Sequence, residues 1–377
     1  MVTKNGYDVA RSDDRVLGAN PSLIANASES GSAPEYHLLR DLVEIEAIAS
    51  CWERLLEQSP CNRAFSSSKW FLAWCRSYPK LAPFVVIARR GPELAAVLPL
   101  AVQEEQGTID FPSPMCDYND LVAGASDLAA QTGVLAFALA HAASYRIVLS
   151  NVRPDSNCRQ AAACLAESKG LQTGYQPDKN CFYIQLSGTF AGYLATRSHV
   201  FRKGLGRIQR NAQSSGLEVR QLTPDRIPPD EMVELFLSLN LSRFESRSGF
   251  APRPVQEFVR EVLPSLFVEG KMAAFVLLHG ARVLAIDVCM RGRNSLCSWN
   301  GGFLPEAAQW SPGRLLFAAG IEHAVSSGLE EYDLLRGSHA YKASWATHSR
   351  TIGPLKFNSQ SCTDALAQHE TKSAYCL

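Results

Sequence analysis

Two residue clusters in the last third of the chain could handle an acyl group. In residues 328–342, GLEEYDLLRGSHAYK, Gly328 stops a helix, a short strand follows, and a glycine turn at Gly337 presents Tyr341 and Lys342. Upstream, Trp310-Ser-Pro-Gly-Arg314 opens the helix that feeds this strand. Ser311 is expected to cap that helix, Pro312 suits its first turn, and Gly313 permits close backbone approach beside Arg314. Unpaired N–H groups at such a start hold phosphates. An ammonium at Lys342 would place positive charge where a carbonyl oxygen becomes anionic. A phosphate-bearing acyl donor and an attacking amine need little more: alignment, a proton acceptor and a stabilised oxyanion. Each feature also has a plainer reading, an ordinary helix start and a surface lysine after a turn.

Other side chains extend this set. His339 lies in the glycine turn, two residues before Tyr341, and is the best-placed base among the eight histidines. Asp287 interrupts the apolar run Val283–Met290, as a base, an amine-binding carboxylate or a residue on a solvent-facing side of the strand. Asp333 sits in an apolar strand and needs a partner, either Arg336 or Lys342 in a structural anchor, or a bound acceptor if it holds part of the site. Asp117 and Asp120 form an acidic pair that could hold a cationic acceptor, or simply a solvated turn. Trp299, in the strand Ser295–Asn300, is placed with the acceptor.

Composition narrows the class. The 377 residues suffice for two ordinary domains or one large pseudo-symmetric one. Lys+Arg and Asp+Glu are both 37, so no whole-protein field favours nucleic acid. The eleven cysteines are scattered without CxxC spacing, which gives no support to a zinc site and suits small apolar core residues. No metal is expected. A Gly-x-Ser-x-Gly elbow and an HExxH motif are both missing. The polar N-terminus has no signal-peptide core and no apolar run reaches membrane-spanning length, so a cytoplasmic protein without membrane insertion is expected.

The elements recur in order. Helical spacing over 41–57 and 66–76 precedes a hairpin over 83–102, a short strand at 109–112, a helix over 128–143 and a strand at 145–150. The second half repeats the plan: helices at 230–244 and 254–267, a hairpin over 271–290, a strand at 295–300, a helix at 311–326 and a strand at 332–335. This implies duplication of one α+β unit. Between the halves, Arg197, Arg202, Lys203, Arg207 and Arg210 recur at helical spacing opposite Phe201, Leu205 and Ile208, a basic amphipathic helix. The expected organisation is a disordered tail (1–34), an N-terminal half (35–190), a basic connector (191–218), a donor-binding C-terminal half (219–357) and a C-terminal tail (358–377).

Four segments in this order carry a family resemblance: the basic segment from Tyr193 to Gly216, the hairpin around Gly280, Trp310-Ser-Pro-Gly313, and Tyr332-Asp333 to Lys342 and Trp345. Over residues 36–357 the chain resembles the CelD/BcsL-like acyltransferases of the GNAT superfamily, themselves similar to the FemABX aminoacyltransferases. The resemblance implies an α+β fold of tandem duplicated GNAT-like domains, each a twisted mixed sheet flanked by helices. It implies an acyl-CoA donor, an amine acceptor on an amino sugar or natural-product intermediate, and a charge-stabilising role for Lys342. The usual pyrophosphate pattern, Gln/Arg-x-x-Gly-x-Gly/Ala, is represented by Gln309-Trp-Ser-Pro-Gly313-Arg-Leu, with no counterpart near 120–130, which puts donor binding in the second half. Aminoacyl transfer from a charged tRNA and an idle scaffold stay open as alternatives.

Overall fold

The computed structural model describes residues 32–112 and 115–357. The tails expected at 1–34 and 358–377 lie outside these residues, apart from 32–34. The strands are β1 (Glu35–Leu39), β2 (Leu81–Arg90), β3 (Glu93–Gln103), β4 (Thr108–Asp110), β5 (Val122–Ala123), β6 (Arg146–Val152) and β7 (Thr173–Tyr175). They continue as β8 (Lys179–Gln185), β9 (Leu217–Leu222), β10 (Met272–His279), β11 (Arg282–Arg291), β12 (Ser295–Phe303), β13 (Glu331–Arg336) and β14 (His348–Phe357).

These strands form one continuous sheet in the order β1-β2-β3-β4-β6-β14-β8-β13-β12-β11-β10-β9, with β5 on β3 and β7 on β14. The predicted duplication is visible in it. β4 and β6 pair in parallel in one half, as β12 and β13 do in the other, and the remaining pairs are antiparallel. The halves exchange their last strands. β8, from the first half of the chain, completes the second sheet beside β13, while β14 completes the first beside β6. The two exchanged strands then pair with each other and seal the sheet.

Helix packing joins the halves as well. Trp74, on helix Ser68–Ser77, stacks on Phe258 of helix Arg253–Val268 at 4.1 Å, and Trp70 meets Trp299 edge-on at 5.7 Å. Trp70 and Trp74 of the N-terminal half thus sit in the same apolar core as Phe236 and Leu263 of the second. Truncating a fully buried aromatic costs about 3–5 kcal/mol. Trp74→Ala is therefore expected to lower the melting temperature of both halves together, in one transition. Separate transitions by calorimetry would show that the shared core does not couple them.

The core cysteines behave as expected from their spacing: among the described residues they are unpaired, and Cys61, Cys116, Cys158, Cys289 and Cys297 are buried. No helix among the described residues is long and apolar enough to cross a membrane.

Candidate functional site

The site is an opening in the second sheet. β12 and β13 pair only from Ser295 opposite Glu331 to Cys297 opposite Asp333, although β12 runs on to Phe303. Two local features drive the strands apart. Trp299 is an extra residue in β12, since the β11 register jumps from Val288–Asn300 to Cys289–Ser298. Leu335 adopts a left-handed φ of 59°, a strained conformation for a branched residue. The resulting cleft holds a cavity of about 1140 Å³. That exceeds the usual 300–1,000 Å³ of a small-ligand pocket and leaves room for a cofactor-sized donor beside an acceptor.

One wall is helix Pro312–Ser326, whose first residues Ser311, Pro312, Gly313 and Arg314 line the cavity. Ser311 does not cap this helix: it is itself left-handed (φ 53°, ψ 55°) and makes no side-chain cap hydrogen bond. The expectation of a serine cap is thus corrected. The helix start is left open toward the cavity, and a Cβ built on Gly313 would meet nothing within 4 Å. A second wall is helix His199–Ser214, which presents Phe201, Gly204 and Arg207, with the Arg314 guanidinium 5.2 Å over the Phe201 ring. The cavity collects Arg197, Arg207, Arg243, Arg314 and Lys342, against the single carboxylate of Asp287 among its lining residues. Such an imbalance in a cleft with apolar walls concentrates anions.

Asp287 closes the inner end. Its side chain is 6% exposed, accepts from Ser298 Oγ at 3.3 Å and lies 3.4 Å from the Cys289 thiol. Burial pushes its carboxyl up to about 7, and the Cys289 and Ser298 hydrogen bonds and the Arg243 charge limit the rise. A carboxyl titrating there is suited to accept a proton near neutral pH. Across the cleft Tyr341 is half exposed, in ring contact with Phe317 at 5.9 Å, and burial raises its hydroxyl above the usual tyrosine range.

Lys342 lines the cavity, but Nζ donates to the Arg336 carbonyl at 2.5 Å and the Leu335 carbonyl at 3.4 Å. It therefore clamps the strained end of β13. Burial lowers its pKa, opposed most by the nearby Asp117. Trp299 also lines the cavity, with its indole N–H already given to the Met115 carbonyl at 3.0 Å.

Four of the candidate residues fall elsewhere. His339 is exposed, off the cavity lining, and stacks on Tyr341 at 5.8 Å. Asp287, unlike His339, lines the cavity. Asp120 accepts from the N–H groups of Leu121, Asn157 and Cys158, each at 2.9 Å, and so anchors the start of helix Asn157–Lys169. Its oxygens are consumed by backbone in the other half, which removes it from the acceptor site. Asp117 is buried against Arg336 at 2.6 Å, and burial pushes its carboxyl up to about 6. Asp333 accepts from the Tyr118 hydroxyl and from Leu335 N–H, both at 2.7 Å. Asp117 and Asp333 thus tie the N-terminal half to the splayed strand and do not face the cavity.

Arg197, Arg207 and Arg243 are the residues that sequence reasoning left out of the site. Gly204, one turn from Arg207 on the basic helix, was the available signal, because it opens the helix face to the cavity. Arg243 has no comparable sequence signal.

Residues 199–343, which include the basic helix, the open helix start and Lys342, match a family described as an acetyltransferase (GNAT) domain. No curated protein matches the chain. Among solved structures, FemX is 14% identical with a TM-score of 0.60, covering 88% of this chain and 99% of that one. The C-terminal domain of a protein named as a lysylphosphatidylglycerol synthetase, from Agrobacterium fabrum, is 12% identical with a TM-score of 0.55, covering 88% and 97%. L-PGS from Bacillus licheniformis is 12% identical with a TM-score of 0.54, covering 85% and 92%. At such identities the likeness is one of fold. The chain thus has a tandem GNAT-like fold with a GNAT-type acetyltransferase domain in its second half.

Proposed function

We propose that this protein is an N-acyltransferase of the CelD/BcsL-like kind, moving an acyl group from acyl-CoA to an amine. The acceptor is a small molecule such as an amino sugar or natural-product intermediate. The C-terminal half, 219–357, supplies the inner catalytic wall and the open helix start, and the basic connector 191–218 closes the donor side. The observation that carries this reading is the cavity that joins an uncapped helix start and four arginines to one buried carboxylate titrating at about 7.

In this reading the donor phosphates lie at the Gly313 end of the helix, beside Arg314 and Arg207, where the Gly313 N–H and the guanidinium forks meet them. The thioester points inward along the cleft. The neutral amine attacks the carbonyl carbon and its proton passes to the Asp287 carboxylate. When the tetrahedral intermediate collapses, the C–S bond breaks and the leaving thiolate takes a proton. Tyr341 retains its hydroxyl proton at neutral pH and is the donor the cavity offers. Lys342 acts chiefly by holding the Leu335–Arg336 carbonyls that shape the cleft.

A second reading, aminoacyl transfer from a charged tRNA, is favoured by one observation. Arg202, Lys203, Arg207 and Arg210 are exposed on helix His199–Ser214, which contains no acidic residue, and Arg207 connects that row to the cavity. Thermal melting against coenzyme A, a panel of acyl-CoAs, and charged and uncharged tRNA separates the two. A shift with an acyl-CoA is expected, kept in Gly313→Ala and lost in Gly313→Trp, since space for a methyl exists and an indole fills the donor end. A shift with charged tRNA alone would replace the first reading by the second.

A further inference from the structure

Arg243 marks a feature of the acceptor that the acyl-transfer chemistry does not require. It ends helix Pro229–Phe244, and its position is fixed from two sides. Asn240, one turn earlier, donates to the Gly301 carbonyl at 2.9 Å and accepts from Ser248 Oγ at 2.6 Å, which locks the helix to β12. Gly302 makes that contact possible, because a Cβ there would lie 2.2 Å from the Asn240 backbone nitrogen. The Arg243 guanidinium then rests 4.3 Å from the Phe303 ring centroid and 4.5 Å from that of Phe244.

Ring contact leaves the guanidinium's N–H groups uncommitted, and no carboxylate forms a salt bridge with Arg243 among the described residues. Both Arg243 and Asp287 line the cavity. In the β11–β12 register, Asp287 faces Gly301 and Ala285 faces Phe303, so Phe303 lies two residues along the strand from the position opposite Asp287. Two residues of strand span roughly 7 Å. Arg314 and Arg207 stand on the two helices of the donor side, whereas Arg243 comes from the helix packed against β12 at Asn240 and Gly301.

We infer that the acceptor is an amine carrying an anionic oxygen group, carboxylate or phosphate, a few bonds from its reacting nitrogen, and that Arg243 holds this group while Asp287 faces the amine. A guanidinium fork matches the paired oxygens of such a group. A short amino acid or aminoalkyl phosphate, with a hydrogen bond at each end, bridges a gap of this size. This inference rests on the acyl-transfer reading and narrows its acceptor: an amino sugar would qualify only if it also bears an acidic substituent.

The test uses the full chain in two assays. In the first, thiol release from the acyl-CoA that shifts melting is followed with glycine and β-alanine (amine plus carboxylate), O-phosphoethanolamine (amine plus phosphate), and ethanolamine and glucosamine (amine plus only neutral hydroxyl substituents). At least one anionic class is expected to exceed the neutral amines tenfold or more in kcat/KM, the better arm naming carboxylate or phosphate. Arg243→Gln should cut that preference at least tenfold through the acceptor KM, leave the acyl-CoA KM and melting shift unchanged, and be partly reversed in Arg243→Lys. In the second, calorimetric binding of the same amines without donor should follow the same order, whether or not transfer occurs. Equal binding and turnover of neutral and anionic amines would overturn the inference. So would an Arg243→Gln variant that loses acyl-CoA affinity with its acceptor preference intact, which would make Arg243 a donor contact. Failure of every amine to release thiol would instead strike the acyl-transfer reading, and the binding assay would still decide the role of Arg243.

Discussion

Asp287→Asn is expected to lower kcat for amine acylation by about 100- to 10,000-fold, the usual contribution of a positioned general base. The variant should fold, because Asn fits the same volume and Ser298 can still donate to its carbonyl oxygen. The pH profile supplies the signature. With a carboxyl at about 7, the wild-type rate should rise through neutral pH as the base loses its proton and level off above it. The variant should lack that limb.

The stability should move the other way. The folded carboxyl titrates at about 7, the ordinary one at 3.8. Between those values the native state keeps a proton that the unfolded chain has released, so stability is lost as pH rises from about 4 to 7. A rise of about three units corresponds to roughly 4 kcal/mol at most. Asp287→Asn escapes this loss. It should therefore melt above wild type at pH 8 and level with it at pH 4, while remaining inactive at both. A residue with only a packing role would give no such opposition of stability and activity.

Reversing the charge of the donor wall is the second large effect. Arg207→Glu combined with Arg314→Glu should weaken acyl-CoA binding by at least about 100-fold. Each charge-assisted hydrogen bond lost is worth about 1.5–3 kcal/mol, and two introduced carboxylates add repulsion. The fold should tolerate both changes, because Arg207 is exposed and the contact found for Arg314 is the Phe201 ring. Wild-type affinity should fall as salt rises, and the double variant should show a flatter dependence. Titration at two ionic strengths measures both. Unchanged affinity in the double variant would remove the phosphates from this wall.

The repeat of helices, hairpin, strand, helix and strand was legible because each element carries its own period and turn residues. The strand exchange was not. β8, KNCFYIQ, alternates weakly, and β14 contains Gly353-Pro354, which reads as a break. In the fold the β14 register shifts between Gly353 and Leu355, so Pro354 sits at an irregularity where its missing N–H is not needed. Which sheet a strand joins is decided by the partner edge, and a single strand's sequence does not encode that.

The site divides along the same line. Ser311, Gly313, Arg314, Tyr341 and Lys342 were found from local turn and helix-start chemistry, and all line the cavity. Ser311 nevertheless failed as a cap, because backbone conformation placed it left-handed. In sequence Asp117 and Asp120 read as an acidic pair open to an acceptor or to solvent, and Asp333 as a buried acid to be paired with Arg336 or Lys342. Their partners, Arg336, the start of helix Asn157–Lys169 and Tyr118, are distant in the chain. Arg243 and Arg207 were missed for the converse reason: both line the cavity and, among the described residues, neither forms a salt bridge, which only the packed structure displays.

The most direct test is a crystal structure with a thioether analogue of acetyl-CoA, whose C–S bond cannot be cleaved by transfer. The account predicts phosphate density at the Gly313 N–H with Arg314 and Arg207 turned onto it, and the thioether lying in the β12–β13 cleft with its carbonyl toward Asp287. An analogue bound outside this cleft, or running with its phosphates at the Asp287 end, would contradict it.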